Sequence, residues 1–120
     1  MLDTLKEIID NSNCEVRFNW FYDPGFELTE WVDYFSIPAD NYIEIPFTGP
    51  IEISSLKWIE INPIEKKIIG RLVPPKKINH TKELIDSFNS HKIGFTFNGE
   101  LIKIENGKFG NKPISLIFNQ

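Results

Sequence analysis

Hydrophobic positions along this 120-residue chain change their period several times, and each change marks a predicted element. Leu2, Leu5, Ile8 and Ile9 recur at helical spacing, which predicts a short helix near residues 2–11. Thr4-Leu5-Lys6-Glu7 has the spacing of a capping box, and Asn11-Ser12-Asn13 breaks the helix. Cys14, Val16, Phe18, Trp20 and Tyr22 then alternate with Glu15, Arg17 and Asn19, the pattern of a half-buried strand. Asp23-Pro24-Gly25 reads as the turn that ends it. Leu28, Trp31, Val32 and Phe35 fall at i, i+3, i+4 and i+7, which predicts a second helical face stopped by Pro38.

From Tyr42 the chain reads as strand. Ile43, Ile45 and Phe47 alternate, as do Ile51 and Ile53, with Thr48-Gly49-Pro50 between them. Leu56–Ile61 and Lys67–Val73 flank Asn62-Pro63-Ile64-Glu65, which predicts a hairpin turn there. Pro74-Pro75-Lys76-Lys77 should end the second of these strands, because proline cannot donate to a ladder. Leu84, Ile85 and Phe88 predict a helix over about residues 81–90, capped by Asn79 or Thr81 with Glu83 in its first turn. Ile93, Phe95 and Phe97 alternate on an expected core face up to Asn98-Gly99, a type I′ hairpin signal, and Leu101–Glu105 returns. Asn106-Gly107 offers another turn and Ile114–Phe118 a last strand. The expectation is one α+β domain over residues 1–120, with a mainly antiparallel sheet of about seven strands and two or three short helices.

Composition supports this. Hydrophobic residues make up 41%, charged residues 25% and aromatics 13%, the balance of a soluble globular chain. Ile occurs 19 times, Asn 11 times and Ala once, which favours strands, although an AT-rich genome produces the same bias. A lone cysteine, Cys14, excludes an internal disulfide and a cysteine-based zinc cage. No apolar run approaches the roughly 20 residues of a membrane span. Met1–Asp10 carries Asp3, Glu7 and Asp10, unlike a signal peptide, so a cytoplasmic protein is expected.

Candidate catalytic groups are few. His80 and His91 flank the predicted helix about three turns apart, too far to share a metal. His91 suits the helix C-terminus, where a cation favours the dipole. Cys14 opens a strand that faces the core, so a cysteine–histidine nucleophile pair is not expected. Glu27, Glu30 and Asp33 could serve as acid and base, but nothing visible separates their pKa values, and a solvated face is the plainer reading. The glycines form neither a phosphate loop nor a dinucleotide fingerprint. A non-enzyme with no cofactor and no metal follows as the expectation.

Charge changes the picture more. Residues 1–60 carry a net −9 and residues 61–120 a net +5. Lys66, Lys67, Arg71, Lys76, Lys77 and Lys82 form a basic stretch, but arginine is scarce, so direct nucleic-acid binding is not expected. The acidic half also holds Trp20, Phe21, Tyr22, Phe26, Trp31, Tyr34, Phe35 and Tyr42, more rings than one sheet face can bury. Either a helix covers the surplus or the rings form an interface, with the acids steering a cationic partner. The second reading assigns partner binding to Asp23, Glu27, Glu30, Trp31, Asp33, Tyr34, Asp40, Tyr42 and Glu44.

In size, acidity, Ile/Asn/Lys-rich style, and segments such as Trp31–Phe35 and Leu56–Ile61, the chain resembles the immunity proteins of polymorphic toxin and contact-dependent growth-inhibition systems. The resemblance is one of character, without a shared motif. It implies a cytoplasmic bacterial inhibitor that covers the active or essential surface of a cognate toxin domain, often a nuclease whose cleft is basic. No membrane partner is expected, and a homodimer through an edge strand stays open. A generic interaction or regulatory module is the alternative, followed by a small hydrolase or a nucleic-acid binder.

Overall fold

The computed structural model describes residues 2–21, 26–28, 30–46 and 49–105. Helix α1 (Leu2–Ser12) buries Leu5 and Ile9, four residues apart and so on one face, while Asp3, Glu7 and Asp10 stay exposed. Thr4 lies inside this helix, so the expected capping box does not form. The end is set by Ser12, whose hydroxyl donates to the Ile9 carbonyl at 2.7 Å and accepts from the Cys14 amide at 3.2 Å. Asn13 follows at φ 59°, a left-handed conformation that asparagine tolerates.

The next strand, β1 (Glu15–Phe21), pairs antiparallel with β2 (Phe26–Leu28) on one side and with a later strand, Leu56–Asn62, on the other. A second sheet follows, β3 (Ser36–Ala39), β4 (Tyr42–Ile45) and β5 (Gly49–Glu52), paired in that order. A single 3-10 turn, Ile53–Ser55, leads into β6 (Leu56–Asn62). Then β7 (Ile64–Lys67) and β8 (Lys76–Asn79) form a two-stranded ribbon of their own. Helix α2 (Thr81–Ser90) precedes β9 (Thr96–Phe97) and β10 (Ile102–Glu105), which complete the large sheet in the order β2-β1-β6-β10-β9. Every pairing is antiparallel, so the α+β, mainly antiparallel expectation holds, with ten short strands among the described residues.

One face of the large sheet makes the core. Val16, Phe18, Leu56, Ile59, Ile61, Ile102 and Ile104 are buried there in register. Leu5 and Ile9 of α1, Leu84 and Phe88 of α2, and Ile43 and Ile45 of β4 complete the same cluster. Burial of this apolar surface is the main force holding three sheets and two helices together. No helix of the described residues is long and apolar enough to cross a membrane.

Several expectations are corrected. The described residues of the stretch 28–35 form no helix. Leu28 ends β2, and Val32 instead exchanges two 2.8 Å backbone hydrogen bonds with Val16. Strand β2 covers β1 only at Asn19–Phe21, so the edge at Val16 is open, and tertiary pairing there outweighs a weak local helical pattern. Pro38 stands in β3, an edge strand, where a missing donor is tolerated. Asn62-Pro63-Ile64-Glu65 is not a hairpin turn, and Lys67–Val73 is not a strand. The chain leaves the large sheet at buried Pro63, and β7 pairs with β8 across the loop 68–75.

The helix over 81–90 is as expected, and the Asn79 side chain accepts from the Thr81 amide at 2.9 Å. The last hairpin forms one residue later than its Asn-Gly pair suggested. Gly99 alone has positive φ, at +96°, and Asn98 bonds Leu101 across the turn, so Gly99-Glu100 are the central residues of a type II′ arrangement. Phe95 packs on Phe88 with ring centroids 5.9 Å apart, but Phe97 is exposed rather than core. Tyr22, the Asp23-Pro24-Gly25 turn, Phe47, Thr48, Asn106-Gly107 and the strand at Ile114–Phe118 lie outside the described residues.

Candidate functional site

Alternation in β4 buries Ile43 and Ile45 and turns Tyr42 and Glu44 to solvent. Antiparallel register sets Glu52 opposite Tyr42 and Pro50 opposite Glu44. Asp40 occupies the exposed turn between β3 and β4, and Asp33 and Tyr34 lie exposed in the segment entering β3. Tyr34 is 57% exposed and Tyr42 37%, large values for aromatic side chains. Residues 18–56 contain seven acids and no Lys, Arg or His, so no base within that stretch neutralises this face.

The structure therefore gathers Asp40, Tyr42 and Glu44 on one small sheet, with Asp33 and Tyr34 on its approach. Glu52 belongs with them and was missed. Its place opposite Tyr42 is visible only once β4 and β5 are paired. Glu30 is exposed beside Trp31 in the sequence. Trp31 is not a free ring. It is half-buried, and the Arg17 guanidinium sits 4.6 Å from its ring centroid. Glu27 lies in β2 opposite Trp20, and Asp23 falls outside the described residues. Of the surplus rings that are described, Phe35 is buried in the core beside α1 and Trp20 packs against that core, while Tyr34 and Tyr42 stay exposed.

The outer face of the large sheet carries a second constellation. Glu60 stands in register with Arg17 on one neighbouring strand and Lys103 on the other. Arg17 Nε donates to Glu60 Oε1 at 2.6 Å, and Trp58 Nε1 donates to Oε2 at 2.8 Å. The Lys103 ammonium lies 4.6 Å from the Trp58 ring. A shallow groove of about 230 Å³ opens beside Glu60 and Lys103, reaching Thr96 and Phe97. A larger groove of about 510 Å³ runs between the ribbon and the last hairpin, lined by Asn62, Lys66, Lys77, Phe97 and Glu100 among others.

His80 has partners that sequence spacing did not reveal. Its Nε2 lies 2.8 Å from Glu65 Oε1 on β7, and its Nδ1 lies 3.4 Å from Glu83 Oε2 on α2. The hydrogen bond to Glu65 comes first in holding the imidazolium, so its pKa is raised above the ordinary histidine value, with Glu83 reinforcing it against burial. The ring ties the root of the ribbon to the start of α2. A histidine whose folded pKa is raised contributes stability that is complete below the unfolded pKa of about 6.5 and is lost as pH rises through the folded pKa. Thermal melting across the neutral range should show the wild type losing its advantage over His80→Gln as pH rises. Parallel curves would mean that His80 contributes no charge-dependent stability.

His91 bonds the Ser87 carbonyl through Nδ1 at 2.9 Å, at the C-terminal end of α2 as expected. Cys14 is buried and its thiol is pushed up, first by burial and against a hydrogen bond with Ser12. A thiol held protonated in this way is a poor nucleophile. Among the described residues, no group of three or more His, Cys, Asp and Glu side chains is placed to hold a metal.

A family model described as a family of unknown function (DUF6678) matches residues 39–107, more than half of the chain, and the chain belongs to that family. The matched stretch runs from the end of β3 to just beyond β10, and so includes Asp40, Tyr42, Glu44 and Glu52 as well as the ribbon. No curated protein and no solved structure matches the chain.

Proposed function

We propose that this member of the DUF6678 family is a non-enzymatic binding protein that seats a cationic protein partner on the solvent face of its small sheet. The partner type that fits is a toxin domain, neutralised because an active or essential surface is covered. The observation that carries the reading is exposed Tyr42, on the small sheet with Glu44 and opposite Glu52, together with exposed Tyr34 next to Asp33 in the segment entering that sheet, with no base in residues 18–56. Tyrosine supplies a large contact area with few rotatable bonds, and rings of this kind are favoured at the centre of interfaces. Carboxylates around them speed encounter with a basic surface, such as a cleft built to hold phosphates. The cytoplasm is the proposed compartment.

The test is co-expression in a bacterial host with the toxin domain encoded beside this chain, followed by surface-plasmon kinetics on the purified pair. Growth protection and a saturable complex are expected. Asp40→Asn with Glu44→Gln should mainly slow association and flatten its salt dependence. Tyr34→Ala should mainly speed dissociation, roughly thirtyfold or about 2 kcal/mol, with an unchanged melting temperature. Absence of protection, or silence of both variants in a complex that does form, would overturn the reading.

A further inference from the structure

The β7–β8 ribbon stands in a sheet of its own, and its register is electrostatically unfavourable. Lys66 lies opposite Lys77 and Lys67 opposite Lys76, all four exposed. Like charges directly opposed on paired strands destabilise the pairing. The loop between the strands, residues 68–75, adds a second cost. Ile68 is 80% exposed and Leu72 98%, with Ile69 and Val73 more than half exposed beside them, and Arg71 is exposed among them. Contiguous bare aliphatic surface rimmed by charge marks a docking site. The root, by contrast, is firmly held. The His80 amide donates to the Pro63 carbonyl at 2.8 Å and its ring bonds Glu65.

The chemistry of residues 64–79 selects the occupant. The cations call for an anionic partner. Protein interfaces are depleted in Lys and centre on Trp, Tyr and Arg, and this ribbon has no aromatic residue and a single arginine. Single-stranded nucleic acid is held by successive bases stacking on rings; the ribbon has none, and Phe97 alone lines the groove beside Lys66 and Lys77. An anionic bilayer needs only aliphatic groups to enter its interface and point charges behind them for the headgroups. Strand rise is about 3.3 Å per residue, so all four lysines lie within roughly 7 Å of the loop. That matches the approximately 5–10 Å to which interfacial segments sink.

We propose that the β7–β8 ribbon is a membrane-docking finger, in which Ile68, Ile69, Leu72 and Val73 enter the interface of an anionic bilayer while Lys66, Lys67, Lys76 and Lys77 engage lipid phosphates. The inference is independent of the toxin reading and replaces the expectation that no membrane is involved. Apolar insertion and a polybasic patch are each weak alone and are effective together. The lysines are then kept opposed because the bilayer, not the ribbon, compensates their charge.

Vesicle flotation of the full chain tests this, with phosphatidylcholine vesicles and vesicles holding roughly one-third phosphatidylglycerol, the charge-bearing component of the surface attraction. The wild type should float only with the anionic vesicles. Lys66→Gln with Lys77→Gln should lower partitioning roughly twenty-five-fold, about fivefold per lysine. Ile69→Gln with Leu72→Gln, which leave the charge unchanged, should lower it at least roughly tenfold. All four positions are exposed, so melting temperatures should not fall. No flotation of the wild type overturns the proposal. So does silence of the Ile69/Leu72 pair, which would mean adsorption without insertion. Binding of a DNA duplex that the same variants abolish, without vesicle binding, overturns it in favour of nucleic acid.

Discussion

Phe18→Ala is expected to remove about 3–5 kcal/mol of stability, the usual effect of deleting a fully buried ring. Phe18 is wholly buried and meets Phe35 edge-on, with centroids 5.2 Å apart and planes at 82°. That contact joins the middle of β1 to the segment that runs from the Val32 bridge into β3. Losing it therefore loosens the attachment of the small sheet as well as opening a cavity. For a domain near this size, roughly 4 °C of melting temperature accompanies each kcal/mol, so a fall of about 12–20 °C should be seen by circular dichroism. A fall of only a few degrees would mean that the core collapses around the space, and that Phe35 is held by other groups. Since natural domains are stable by only about 5–15 kcal/mol, the variant is expected to approach the folding threshold.

Glu60→Ala should be the most damaging change on the outer face of the large sheet. The Glu60 side chain is 13% exposed and accepts from both Arg17 and the Trp58 indole. Its removal leaves a half-buried guanidinium and an indole N–H without that acceptor. The expected loss is about 2 kcal/mol, since ion pairs that keep some solvent contact are worth less than fully buried ones and unsatisfied donors cost about 1–3 kcal/mol each. Glu60→Gln keeps the shape and one acceptor and should lose roughly half as much. Chemical denaturation of the two variants separates the cases. Equal and negligible effects would show that Arg17 and Trp58 find water or other partners at no cost. Arg17→Lys is informative beside them, because lysine cannot reproduce a planar guanidinium that both bonds Glu60 and lies 4.6 Å from the Trp31 ring centroid.

Sequence alone determined the elements whose signal is local. Leu5 and Ile9 place α1, Leu84 and Phe88 place α2, and alternation places β4 and the first half of β1 with the right residues inside, whereas a register shift at Asn19 and Trp20 buries Asn19, which alternation assigns to solvent. The same alternation exposed Tyr42 and Glu44, because a period of two against buried Ile43 and Ile45 leaves them only the solvent side. The acid-rich, base-free stretch was legible for the same reason, as a property of order along the chain. Partnership across the chain was decided by tertiary structure. Val32 pairs with Val16 because β2 leaves that edge open, and this dissolved a helix whose apolar spacing was otherwise acceptable. Trp31 left the acidic face because Arg17, fourteen residues earlier in the sequence, holds it. Glu52 joined that face through register, and His80 acquired Glu65 through the fold of the ribbon. The ribbon is not legible in the sequence, because Lys66-Lys67 and Lys76-Lys77 look like separate strand and terminator until they are set opposite one another. Local periodicity records which side of an element faces the core. It carries no information on which distant backbone edge is unfilled, and that vacancy determined the pairings here.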